Sequence, residues 1–189
     1  GEIDVARLVR SWNVPDIVTV GDNIYWEDGD PALLESRIGA YYADWIYPYE
    51  GEHGSGRFVR DGKNHFWPAV GNHEYQTPIG ATTYFDYFEV PGNERWYDIV
   101  LGPVHLFFLD TGFIAAPDYE GPQGVSPDGA QGIWLRAQLE ASDAIFKVVV
   151  IHNAPYTSSF GGPKAFHTLP YRWPFKAWGA DLVLAGHAH

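Results

Sequence analysis

Apolar positions recur at helical spacing from Ile3 to Trp12, with Val5, Leu8, Val9 and Trp12 on one face. Beyond Val14-Pro15-Asp16 the β-branched run Ile17 to Val20 reads as a strand. Pro31 opens a second helix through Leu33, Leu34, Ile38, Tyr41 and Tyr42 that stops before Pro48. Gly51 to Lys63 reads as loop, and Phe66 to Val70, interrupted by Pro68, as a short strand. A helical or irregular piece covers Tyr84 to Phe88, and Trp96 to Val100 with Val104 to Leu109 predict a hairpin about Gly102-Pro103. After a glycine- and proline-rich connection from Gly112 to Gly129, Ala130 to Ala141 predicts an amphipathic helix with Ile133, Trp134, Leu135 and Leu139 as its apolar positions. Phe146 to Ile151 is a continuous buried strand, Ala154 to Leu169 a loop, Pro174 to Trp178 a short helix and Leu182 to Ala185 the last strand. Helices alternating with apolar strands predict an α/β fold built on a layered sheet.

Four of those strands end directly in polar clusters. Val20 runs into Gly21-Asp22-Asn23, Val70 into Gly71-Asn72-His73-Glu74, Ile151 into His152-Asn153, and Ala185 into Gly186-His187-Ala188-His189. Ligands of open α/β sheets bind beyond the carboxyl ends of the strands, so the clusters meet on one rim if the strands are parallel neighbours. Taken singly, each cluster has an ordinary reading. Gly-Asp after a strand makes a turn or a helix cap, and a lone histidine at a strand end is a satisfied, half-buried side chain. His187 and His189 stand apart because positions i and i+2 of an extended backbone face the same side. Four unrelated turns are not expected to supply a carboxylate, an amide and four of the chain's 8 histidines at four strand ends.

Composition narrows the chemistry. A chain of 189 residues, 46% hydrophobic and 16% aromatic, has material for one globular core. Its 12 basic and 24 acidic residues give a formal charge of -12, which argues against holding nucleic acid through backbone phosphates. With no cysteine, only oxygen and nitrogen ligands remain, and thiols say nothing of the compartment. No apolar run approaches the roughly 20 residues that span a bilayer. Carboxylate, amide and imidazole suit zinc, manganese or iron(II), whereas a phenolate favours iron(III). Tyrosine titrates near 10 when free, so only a strongly Lewis-acidic ion or an unusual environment keeps it deprotonated at neutral pH.

The ordered set "GDNIY", "GNHE", "VVVIHNAPY" and "GHAH" resembles the calcineurin-like metallophosphoesterases. Tyr25, three residues after Asp22, is similar to the purple acid phosphatase branch in particular. The flanking "QGIWLRAQLEAS" and "RWPFKAWGADLVLAGHAH" are similar too, so the resemblance covers nearly the whole chain. It implies a β-sheet sandwich flanked by helices, as a single catalytic domain over residues 1–189, and two metal ions, Fe(III) plus a divalent ion (Zn, Mn or Fe). By the same resemblance Asp22 bridges the ions, Tyr25 and His189 bind the iron, and Asn72, His152 and His187 bind the divalent ion. His73 contacts substrate phosphate or protonates the leaving oxygen, and His167 is a further candidate in the loop after the third motif. Tyr25 as a core aromatic and His167 as a solvent-exposed loop residue are the ordinary alternatives.

The chain departs from that family in two places. Where many relatives carry a second histidine after the third-motif histidine, Asn153 stands here. Nothing matches the family's first motif, an Asp-x-His or Asp-x-Gly, so the expectation is an interior piece of a larger domain, with the first strand upstream and further strands downstream. The resemblance implies hydrolysis of a small phosphorylated substrate, a phosphomonoester, with a phosphodiesterase or nucleotide hydrolase and an inactive binding module as alternatives. The aromatic stretches around Trp26, Tyr41 to Tyr49 and Trp67 either stack a base or pack a core. Oligomeric state and location stay open, with extracellular or periplasmic placement favoured by resemblance alone.

Overall fold

A computed structural model describes residues 1–25, 30–54, 61–77, 80–111, 125–158 and 169–188. Helix α1 (Glu2–Trp12) ends at Asn13, whose left-handed conformation (φ 55°) turns the chain toward strand β1 (Ile17–Thr19). β1 lies parallel to β2 (Phe66–Pro68), with Ile17 opposite Phe66 and Thr19 opposite Pro68. The second sheet has the order β3 (Tyr97–Leu101), β4 (Val104–Phe108), β5 (Phe146–Asn153), β6 (Leu182–Gly186). β3 and β4 form the expected antiparallel hairpin, and β4, β5 and β6 run parallel. The architecture is the expected α/β sandwich of sheets flanked by helices.

Alternation along β4 and β5 explains the layering. Leu106, Phe108, Val148 and Val150 face a core shared with Phe66, Tyr84 of helix α5 (Thr82–Tyr87), Phe88 and Tyr97, on the side of the β1–β2 sheet. Their neighbours Phe107, Leu109, Val149 and Ile151 face the opposite core, built with Leu135, Leu139, Tyr171 and Trp173. Strands buried on both faces read as unbroken apolar runs, as Leu106 to Leu109 and Val148 to Ile151 do. The helix α6 (Ala130–Ala141), whose predicted bounds hold to the residue, covers that second face. By the same period of two, His152 follows Val148 and Val150 and points toward β1.

Several expectations are corrected. The four strand ends do not belong to one sheet: β5 has β4 and β6 as partners and β1 pairs with β2, so the two sheets meet through their shared core and through the His152 ring, which reaches the Val20 carbonyl just beyond β1. α1 buries only Ala6, and its apolar face is open, with Val5, Leu8 and Trp12 exposed. The helix is fastened by Arg10, which pairs with Asp44, donates to the Tyr41 carbonyl at 2.7 Å and lies 5.1 Å from the Trp45 ring centroid. The single helix predicted from Pro31 is broken into α2 (Pro31–Leu34), a π-turn (Glu35–Gly39), α3 (Ala40–Tyr42) and a 3-10 turn (Ala43–Trp45). The π-turn places Glu35 where it accepts from the Tyr49 and Tyr87 hydroxyls and from Glu52 N. Pro174 to Trp178 makes one hydrogen-bonded turn rather than a helix, closed by Trp178 N to the Pro174 carbonyl at 3.0 Å. Trp45 is buried, and Tyr42, Tyr49 and Trp67 pack against the core; Trp26 lies outside the described residues.

Candidate metal centre

Gly21 and Asp22 follow β1, and Gly71 leads into α4 (Asn72–Tyr75) just after β2. Both glycines are required by crowding. A Cβ on Gly21 would sit 2.4 Å from His152 Nδ1, and one on Gly71 2.2 Å from Asp22 N. The Gly21–Asp22 and Gly71 loops therefore touch backbone to backbone while the His152 ring closes on Gly21, which brings side chains from distant segments to one point. Asp22 and His187 both adopt left-handed backbone angles, φ 53° and 66°. Non-glycine residues hold such angles where the surroundings over-determine them, and they cluster at functional sites.

The point of convergence is His152 Nε2. Asp22 Oδ2 lies 3.2 Å from it, Asn72 Oδ1 3.0 Å and His187 Nδ1 3.1 Å. The other ring nitrogen, Nδ1, is taken by the Val20 carbonyl at 2.7 Å and must donate there, since a carbonyl only accepts. A neutral imidazole then turns a lone pair at Nε2 toward a carboxylate oxygen, an amide oxygen and a second imidazole. Four lone-pair donors facing one another fit a cation, and the oxygen and nitrogen set suits a borderline divalent ion. Metal-binding histidines characteristically give their second N–H to a carbonyl or carboxylate in this way. Ligand atoms of Asp22, His152 and His187 all lie within 4.8 Å of one another.

Without a cation, protons take part of that role. Burial alone would push the Asp22 carboxyl up, but the hydrogen bond and charge of His152, with help from His73, hold it below its ordinary value. Burial likewise pulls the His152 imidazole down, and the opposing hydrogen bond and charge of Asp22 lift it above its ordinary value. Tyr25 goes the other way: burial, then the carboxylates of Asp22 and Glu74, raise its phenol. Such a phenol ionises at neutral pH only beside a strong positive charge.

The structure thus gathers Asp22, Asn72, His152 and His187, with His73 beside them at 3.9 Å from Asp22 Oδ2. Tyr25 is 46% exposed, not a core aromatic; its ring lies 4.6 Å from that of His73, and it lines a cavity of about 530 Å³ with Asp22. His167 and His189 lie outside the described residues. The extended backbone expected at His187 is not found, because β6 ends at Gly186 and His187 is left-handed.

Two residues were missed. Thr111 Oγ1 accepts from the backbone N–H groups of His152 and Asn153, each at 2.9 Å. The signal was present, since β4 also runs from an apolar strand into a polar pair, Asp110-Thr111. Asp110 is buried against the Tyr75 hydroxyl at 2.5 Å and Arg95 Nε at 2.8 Å. Glu74, within "GNHE", is the second.

An α/β sandwich whose strand-end loops aim carboxylate, amide and imidazole donors at one point is a scaffold of the metal-dependent class. The chain belongs to the calcineurin-like phosphoesterase family, whose pattern matches residues 4–189. Members of that family use a dinuclear metal centre, and the Asp22, His152 and His187 group is part of one candidate site. Among solved structures the chain is similar in fold to GAP50, the anchor in the inner membrane complex of Plasmodium, with a TM-score of 0.59 and 16% identity. That likeness covers 97% of this chain and 59% of the other, so the chain spans about 59% of that relative's length. No curated protein matches the sequence. Among the described residues no helix is long and apolar enough to cross a membrane.

Proposed function

We propose that the chain is a single catalytic domain of a metal-dependent phosphoric ester hydrolase of the purple acid phosphatase-like branch, acting on phosphomonoesters. The observation that carries this reading is the convergence of three donor atoms on His152 Nε2 within 3.2 Å. In it Asn72, His152 and His187 would hold the divalent ion, Asp22 would serve both ions, and Tyr25 with His189 would hold the ferric ion.

A bound pair of ions would polarise the phosphoryl oxygens and lower the pKa of a coordinated water into the neutral range. The protein's own groups supply position and protons. Val20 and Thr111 hold the imidazole and the backbone of His152, so that Nε2 points at the centre. His73 packs against Tyr25 at the edge of the site, where its ring nitrogen can bind the phosphate or protonate the leaving oxygen, with His167 as a second candidate. The positive charge of the ions also lets a chain of formal charge -12 accept an anionic substrate.

Turnover of p-nitrophenyl phosphate against bis-p-nitrophenyl phosphate, before and after chelation, tests the proposal. Monoester turnover that chelation abolishes and metal restores is expected. A strong diester preference would move the assignment to a phosphodiesterase, and a metal-free protein without turnover would leave a binding module.

A further inference from the structure

We infer that Glu74 is the positioning residue of this centre, a buried carboxylate that holds the Asp22 loop in the conformation that aims Asp22 Oδ2 at His152 and His187. The inference rests on the metal-dependent reading above. Although Glu74 stands in the "GNHE" motif beside two site residues, its carboxylate is engaged by the backbone of Gly71 and of the Asp22–Ile24 turn, outside the Asp22, His152 and His187 group. Oε2 accepts from Gly71 N at 2.7 Å and Asp22 N at 3.2 Å. Oε1 accepts from Asn23 N, from Asn23 Nδ2 at 3.1 Å and from Ile24 N at 3.3 Å. Five N–H donors occupy both oxygens, so Glu74 is not itself a ligand.

The exchange is reciprocal. Asp22 Oδ1 accepts from His73 N at 3.0 Å, on the turn that carries Glu74, which commits one Asp22 oxygen and leaves Oδ2 for the centre. Asn23, between the two, is pinned by Thr19 Oγ1 at 2.6 Å and by the Ala69 carbonyl at 2.9 Å. Three consecutive N–H groups, of Asp22, Asn23 and Ile24, turn inward only with Asp22 left-handed, and an anion at their focus holds that turn. Glu74 thus fixes the angle of a ligand through the backbone.

Glu74→Gln keeps the shape but puts an NH2 group where at least two of the N–H donors now find an oxygen. Outer residues that orient ligands typically contribute about 10–100-fold in metal affinity. The test is calorimetric titration of Co(II) into the full chain stripped of metal, as wild type, Glu74→Gln and Glu74→Asp, with circular dichroism and the visible Co(II) spectrum recorded alongside. Cobalt binding weaker by about 10–100-fold, with an altered Co(II) spectrum in a variant that still folds, is expected. Wild-type affinity in a folded variant of lowered melting temperature would show a merely structural role and overturn the inference alone. Wild type that binds no cobalt overturns it together with the functional reading. If neither variant folds, hydrogen exchange of the wild type decides: protected Asp22, Asn23 and Ile24 amides support the inference, and exchange at solvent rates refutes it.

Discussion

Thr111→Val isolates the support beneath His152. Valine matches threonine in shape but has no hydroxyl, so the substitution deletes the single acceptor that serves both His152 N and Asn153 N at 2.9 Å. Thr111 is 2% exposed, and both N–H groups sit at the buried end of β5, so water does not replace the lost oxygen. A buried donor left without a partner costs about 1–3 kcal/mol, so two give about 2–6 kcal/mol. Against a total stability of about 5–15 kcal/mol that is a large fraction. The Tyr171 hydroxyl bond to the Thr111 carbonyl, at 3.2 Å, is untouched, so the loss is specific to Oγ1. Urea unfolding of wild type, Thr111→Val and Thr111→Ser measures it, with an unchanged m value certifying the comparison. Serine, which keeps the oxygen, is expected to retain most of the stability that valine loses. A valine variant within about 1 kcal/mol of wild type, or a serine variant as weak as valine, would refute the reasoning.

On α6, Leu135→Ala is expected to cost about 2–5 kcal/mol because Leu135 is fully buried, while Ile133→Ala, 52% exposed, stays within about 0.5 kcal/mol in the same assay. Tyr25→Phe is expected to abolish the visible phenolate-to-iron band of ferric-loaded protein while leaving the melting temperature unchanged, since the ring is half exposed; a band that survives removes Tyr25 from the iron site. Glu35 is held below its ordinary value of 4.5 because the Tyr49 hydroxyl, Glu52 N and the Tyr87 hydroxyl outweigh burial. A depressed carboxyl stabilises the fold above its unfolded value and loses that contribution as pH falls through the lower folded one, so melting temperature should drop below pH 4.5 by less in Glu35→Gln than in wild type. Burial and the Glu35 carboxylate push the Tyr49 phenol up to about 12, so it contributes stability below its ordinary 10.0 that disappears as pH rises through about 12, which alkaline melting curves of Tyr49→Phe read directly.

How much of this was legible in the chain depends on whether the signal was local. α6 could be bounded because Gly129 and Ser142 punctuate a helical run, yet its faces could not be fully assigned. Ile133 is exposed while Gln131 is buried, because Gln131 exchanges two 2.8 Å hydrogen bonds with the backbone of Asp110, a partner 21 residues away. The apolar face of α1 was visible as a pattern, but a pattern shows that a face exists and not what lies against it. The break after Leu34 is set by tertiary crowding: a Cβ on Gly39 would lie 2.4 Å from the Glu35 carboxylate and 2.6 Å from the Tyr87 hydroxyl. At the site, the candidate ligands were readable because each sits where an apolar strand stops. Their arrangement was not, since it depends on the Val20 carbonyl just beyond β1 meeting the His152 ring of β5 and on the left-handed turns at Asp22 and His187.

The central claim is that the strand-end donors hold metal and that the metal drives ester hydrolysis. Elemental analysis of the purified full chain as wild type and His152→Ala, paired with p-nitrophenyl phosphate turnover, tests it most directly. The account predicts two ions per wild-type chain, loss of at least the divalent one in His152→Ala, and loss of turnover with it. Wild-type protein that hydrolyses the ester with no transition metal bound, or a His152→Ala variant with full metal content and turnover, would contradict it.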